Sequence, residues 1–134
     1  MSDEENPSAV PAAAVKDASK EMLQQQLYAI FTTPTNGLGP VFANLEDHLK
    51  FQVQLETDGI MYAAGPMWTD DEEHWEGEGL VVVRATSRND AIAIAERDPM
   101  HKSGARSFKV RPWMINEGSV TVRLDYSTQK FTIS

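Results

Sequence analysis

The sequence predicts an α+β domain built from two strand-helix-strand units in succession, and three observations carry that prediction. Leu27, Ala29 and Phe31 alternate with Tyr28, Ile30 and Thr32, a period of two that marks a half-buried strand. Leu80-Val81-Val82-Val83 is an unbroken β-branched run of the kind found in buried strands. Two helical stretches, one ahead of Gly59 and one ahead of Asp98-Pro99, are each followed by another strand-like segment. The resulting order, β-α-β-β-α-β, is that of the ferredoxin-like fold.

The elements follow in chain order. Residues 1–24 are rich in Ala, Pro, Ser and charge, with Pro7 and Pro11 breaking any period, and read as a flexible tail in which Ala12 to Lys20 forms at most a transient helix. The domain proper spans 25–116. After the first strand, Pro34, Asn36, Gly37, Gly39 and Pro40 make a loop, and Asn44 with Asp47 stands at the spacing of a helix cap. A helix is therefore expected from about Leu45, with His48 in its first turn. Leu45, Leu49, Gln52 and Val53 share a stripe, and Gly59 closes the helix.

Ile60 to Ala64, stopped by Gly65-Pro66, is the second strand. Thr69 to Gly79 carries six acids and no Lys or Arg, and reads as a solvent-facing connection in which His74 is solvated. Ser87 and Asp90 cap a second helix through Ala91 to Ala95, which Asp98-Pro99 ends because the residue before proline disfavours helical backbone. Ser107 to Trp113 is the fourth strand, with Phe108 and Val110 on one face and basic residues on the other. Residues 117–134 alternate again and are expected to add one or two C-terminal strands.

Composition narrows the function classes. Cysteine is absent, which removes disulfides, thiolate nucleophiles and cysteine metal ligands. A net charge of −8 argues against nucleic acid as a partner, because phosphate binding needs an excess of Lys and Arg on one face. No apolar run approaches the roughly 20 residues that cross a bilayer, and the acidic start is unlike a secretory signal. No membrane association is expected, and the expected compartment is the cytoplasm.

His48, Phe51, Leu55 and Gly59, followed by Ala64-Gly65-Pro66, then Asp98-Pro99, Gly104 and Val110-Arg111-Pro112-Trp113, resemble the YCII-related (YciI-like) proteins over about residues 26–115. The resemblance implies ferredoxin-like subunits paired as a homodimeric α/β barrel, a superfamily that includes muconolactone isomerases and small antibiotic-biosynthesis monooxygenases. It implies an active site on a histidine and an aspartate, which map onto His48 and Asp98, with Gly65, Pro66, His101 and Arg106 as substrate-binding candidates. One relative is a dehydrochlorinase of a chlorinated hydroxyhydroquinone. The acidic stretch from Thr69 to Glu78 and the chain beyond Gly118 depart from the family pattern.

An imidazole oriented by a carboxylate is a serviceable general base near neutral pH, because the carboxylate sets the tautomer and stabilises the imidazolium that forms. His48 and Asp98 are the candidates for that pair. The plainer alternative is a satisfied helix histidine and an aspartate that merely closes a helix. Asp98 and His101 at i, i+3, with His48, also invite a metal reading, but no residues that would orient such ligands are evident and no metal or other cofactor is expected. Lys102, Arg106, Lys109 and Arg111 form a basic run suited to an anionic ligand, or to the acidic stretch itself. The expected function is proton abstraction or elimination, of lyase or isomerase type, on a small aromatic or lactone-like compound. The alternative is a non-catalytic dimer that binds a metabolite or serves as a structural accessory.

Overall fold

The computed structural model describes residues 6–134, so the first five residues of the expected tail lie outside the described residues. The chain forms two compact units: residues 26–114, and a second made of the chain up to Gln25 together with 115–134.

In the larger unit the order is β1 (Gln25–Pro34), α2 (Gly39–Thr57), β2 (Met61–Pro66), β3 (Gly79–Val83), α3 (Arg88–Glu96), α4 (Pro99–Lys102) and β4 (Arg106–Ile115), where α1 (Ala12–Ala18) belongs to the other unit. The four strands make one sheet in the order β2-β3-β1-β4, with β3 antiparallel to both β1 and β2. This is the ferredoxin-like fold. None of the described helices is long and apolar enough to cross a membrane.

Strand alternation decides what the helices cover. Tyr28 and Ile30 on β1, Val81 and Val83 on β3 and Val110 on β4 point to one face, where they meet Leu55 of α2 and Ala91, Ile94 and Ala95 of α3. The small residues of α3 let it lie close to the sheet. A second cluster joins Val41 of α2, Met100 of α4 and Ala105.

The first helix of this unit starts earlier than its sequence suggests. It begins at Gly39, and Asn44, expected as its cap, instead donates its amide to the carbonyl of Pro40 at 2.8 Å. Pro40 reads as a turn residue, but a proline in the first helical turn gives up only an N–H that would have no partner there. His48 is therefore near the middle of α2. The buried face follows Val41, His48 and Leu55, while Leu49 and Val53, expected on the buried stripe, are 50% and 60% exposed. At the other end the reading and the structure agree: Asp58 caps the helix and Gly59 follows at φ +75°, the left-handed backbone that glycine takes without strain.

α3 is capped by Ser87, whose hydroxyl accepts from the Asp90 amide at 3.0 Å, while Asp90 accepts from the Thr86 amide at 2.9 Å. Asp98 does more than stop α3. Its side chain accepts from the Met100 amide at 2.9 Å and so caps α4, with Pro99 in the first turn.

In the other unit α1 buries none of its residues, and the Gln24 side chain donates to the Lys16 carbonyl at 2.6 Å. The C-terminal strands β5 (Val122–Leu124) and β6 (Phe131–Ile133) pair antiparallel as a two-stranded sheet of their own and do not extend the four-stranded one.

Candidate active site

α2 and the α3–α4 corner bring His48 and Asp98 together from 50 residues apart. His48 Nδ1 lies 2.9 and 2.8 Å from the two carboxylate oxygens of Asp98, and the residues are only 6% and 5% exposed. A carboxylate can only accept, so Nδ1 carries a proton, and in the neutral ring Nε2 has a lone pair. Asp98 is itself held by the Met100 amide, so the helix cap and the imidazole share one carboxylate. His48 borders a cavity of about 280 Å³, and Nε2 has no protein partner among the described residues. The pair is thus backed by protein on the Nδ1 side and open on the other.

The cavity wall explains several of the remaining candidates. Gly65 and Pro66, at the end of β2, line it. Arg106 lines it too, one residue ahead of the Ser107–Trp113 strand expected from the sequence. The strand begins at Arg106, and its alternation puts Arg106 on the same side as Phe108 and Val110. The residue is 5% exposed, and its buried Nε has no hydrogen-bond partner. Burial lowers its pKa below the ordinary arginine value, while the charge of Asp98 pulls the other way. It remains a cation, since arginine does not deprotonate in proteins, and it has no salt-bridge partner among the described residues. Lys102, Lys109 and Arg111 are exposed and stand apart from it.

His101 sits behind the wall rather than in it. Nδ1 donates to the carbonyl of Ala95 at 2.6 Å, and Nε2 lies 2.9 Å from the Thr32 hydroxyl. The Phe108 ring is tilted against it at 4.5 Å. Burial lowers the His101 pKa from its ordinary value, the Ala95 carbonyl and the Asp98 charge opposing that effect and the Arg106 and His48 charges adding to it. Among the described residues no group of three His, Asp or Glu is arranged to hold a metal ion.

Two further residues stand at the cavity, and only Thr32 went unmarked in the sequence. Thr32 is one of an alternating row in the sequence; in the fold it continues the inward row of Tyr28 and Ile30 and faces Gly79 across the sheet, at the cavity. Trp75 looked like part of a solvated acidic stretch. The acids are exposed, but Trp75 turns inward, joins the Val41–Met100–Ala105 cluster and donates its Nε1–H to the Glu78 carbonyl at 2.8 Å. Its ring lies 5.9 Å from the Arg106 guanidinium carbon, within reach of a cation–π contact. The loop is pinned at Gly77, whose φ is +84° and where any Cβ would come within 2.6 Å of Pro34 and Leu38. Asp71 steadies its outer turn, its pKa lowered by hydrogen bonds from Thr69 and the Glu73 amide.

Residues 26–114 match the model of the YCII-related domain. The chain belongs to the YCII-related family. A solved structure similar to this YCII-related chain is the 5-chloro-2-hydroxyhydroquinone dehydrochlorinase of Burkholderia phenoliruptrix, determined in complex with 2,5-dihydroxybenzoquinone. The two share 23% identity at a TM-score of 0.52, over 65% of this chain and 92% of that one, a likeness of fold. No curated protein matches the chain significantly.

Proposed function

We propose that the cavity binds a small oxygenated aromatic anion and that His48 Nε2 removes a proton from it, in an elimination or isomerisation. The observation that carries this is the pairing of a buried, carboxylate-oriented imidazole with an unpartnered buried cation on the same cavity wall. Asp98 fixes the His48 tautomer and offsets the charge the ring acquires. Arg106 supplies a cation where negative charge would build on the ligand oxygen, in a site shielded from water. Glu78 also lines the cavity, but it is exposed, and solvent screens its charge far more than that of Arg106. Leu45, Trp68 and Trp75 provide apolar surface for a ring.

The dehydrochlorinase likeness suggests the first substrates to try. In such an elimination His48 Nε2 takes a ring hydroxyl proton and returns it to the chlorine-bearing carbon, giving the keto tautomer. Loss of a second hydroxyl proton to Nε2 then expels chloride with the C–Cl electron pair and leaves the quinone, a net loss of HCl. Full-length protein and its His48→Gln variant, incubated with chlorinated hydroxyhydroquinones, should differ in chloride release and quinone absorbance by about a hundredfold or more, the usual range for a general base. Equal rates in the two would end the catalytic reading. Undiminished binding without turnover would leave the non-catalytic metabolite site in its place.

The same reading includes a homodimer. Phe31 and Trp113 lie on the sheet face opposite the helices and are 40% and 47% exposed, apolar surface of the kind that a partner sheet covers. Sedimentation of the wild type and of a Phe31→Lys variant tests it: a dimer that dissociates on substitution supports the pairing, and a monomeric wild type rules it out.

A further inference from the structure

The geometry points to Thr32 as the residue that selects a hydroxyl-bearing ligand, with His101 as the positioning residue that obliges the Thr32 oxygen to act as an acceptor. The inference rests on the reading of the cavity as a site for aromatic anions and adds which substituent the ring must carry.

The argument is one of proton bookkeeping along a chain of three groups. The Ala95 carbonyl can only accept, so the 2.6 Å contact requires the hydrogen on His101 Nδ1. In the neutral ring Nε2 must then accept. The group within reach is the Thr32 hydroxyl at 2.9 Å, so Thr32 donates its single hydrogen to His101. Nothing else among the described residues bonds to Thr32 Oγ1, and the residue lines the cavity while being only 3% exposed. To a ligand in the cavity that oxygen can therefore offer lone pairs alone. A rotating threonine hydroxyl would serve donors and acceptors equally; this one cannot.

Three of the polar groups that line the cavity, beside Gln52 and the exposed Glu78, form a set with distinct demands. Arg106 asks for negative charge, His48 Nε2 for an acidic proton and Thr32 for a donor. A ring with one ionised oxygen and one intact hydroxyl meets the first and last together. A ring bearing only acceptors leaves the Thr32 oxygen facing an acceptor in a buried place, which is the arrangement that sites built on hydrogen bonds reject most strongly.

The experiment uses the full chain and measures affinities by calorimetry for the ortho-, meta- and para-hydroxybenzoates, each against the fluorobenzoate of the same substitution, with benzoate as reference. Fluorine fills similar space and cannot donate. In the wild type at least one hydroxybenzoate should bind about tenfold or more tighter than its fluoro partner. Thr32→Val should abolish that preference, and Thr32→Ser should retain it. His101→Leu, which frees the Thr32 hydrogen to turn toward the cavity, should narrow the preference, an effect that a purely structural role for His101 would not produce. Equal binding of every pair, or a preference that survives Thr32→Val, overturns the assignment to Thr32 while leaving the anion site standing. Failure of all benzoates to bind overturns both. Nitrogen NMR of the ligand-free protein supplies a test that needs no variant to fold: His101 should show the Nδ1–H tautomer, and the Nε2–H form would refute the inference.

Discussion

The middle of α2 and the α3–α4 corner each place a histidine in the protein interior, and both rings are protonated on Nδ1 by an acceptor that cannot be anything else. They differ at the second nitrogen. His48 presents Nε2 to the cavity, whereas His101 has Nε2 occupied by Thr32. The backing differs as well, a carboxylate behind His48 and a neutral carbonyl behind His101. A carboxylate stabilises an imidazolium, so the first ring can take up a proton; a carbonyl in a desolvated place does so far less, and the second ring is kept neutral. Burial alone therefore does not make a histidine a candidate base. What makes His48 one is an anionic partner on one nitrogen and an opening on the other.

The most direct way to break the contrast is to remove the charge behind His48. Asp98→Asn keeps an oxygen to cap α4, but its amide hydrogens face Nδ1 and favour the opposite tautomer. Turnover should fall by about a thousand- to ten-thousandfold with little loss of fold; circular dichroism and steady-state kinetics read the two effects. Asp98→Ala is harsher, since it strands the His48 Nδ1–H and the Met100 N–H at about 1–3 kcal/mol each, and denaturant unfolding should show it. Undiminished turnover in the Asp98→Asn protein would remove the basis for treating His48 as a base.

Replacing the unpartnered cation sharpens the comparison from the cavity side. Arg106→Met should lower benzoate affinity by about ten- to a hundredfold, the worth of a charged hydrogen bond. Stability should hold or rise, because the buried charge with an orphaned Nε is gone. Lower stability together with unchanged affinity would make Arg106 a structural cation.

The smallest effect belongs to His101 and is a pH dependence. Its pKa is lowered in the fold, chiefly by burial. The folded state then binds fewer protons than the unfolded one, so the stability that His101 contributes is fully present above the ordinary value of 6.5, falls as the pH drops below it, and levels off beneath the folded value. Thermal unfolding between neutral and mildly acidic pH should show this decline in the wild type and a flatter profile in His101→Gln. An equal slope in both would assign the decline elsewhere.

Much of the architecture was legible because its signals are local. The valine run of β3, the Ser87 cap and the Gly59 stop each act within a few residues, and each stands where the sequence places it. The start of α2 was not, since Pro40 satisfies a turn and a first helical turn equally well, and choosing the turn displaced both His48 and the predicted buried stripe. His48 and Asp98 were legible only through the family pattern; no spacing rule joins residues 50 apart. Thr32 was beyond reach because its place at the cavity is set across the sheet. Strand alternation assigns a residue to a face without saying where along that face the packed interior gives way to a hollow.

Gly77 has a consequence for how this chain can drift over time. The acids around it project into water, where exchange among charged or polar side chains costs little. Gly77 itself is wedged under Pro34 and Leu38 with no room for a single methyl group. Variation can therefore recolour the outer rim freely while the indole next to Arg106 stays put. Selection on surface charge is thereby uncoupled from selection on the ligand chamber, and one small residue acts as the hinge pin between them.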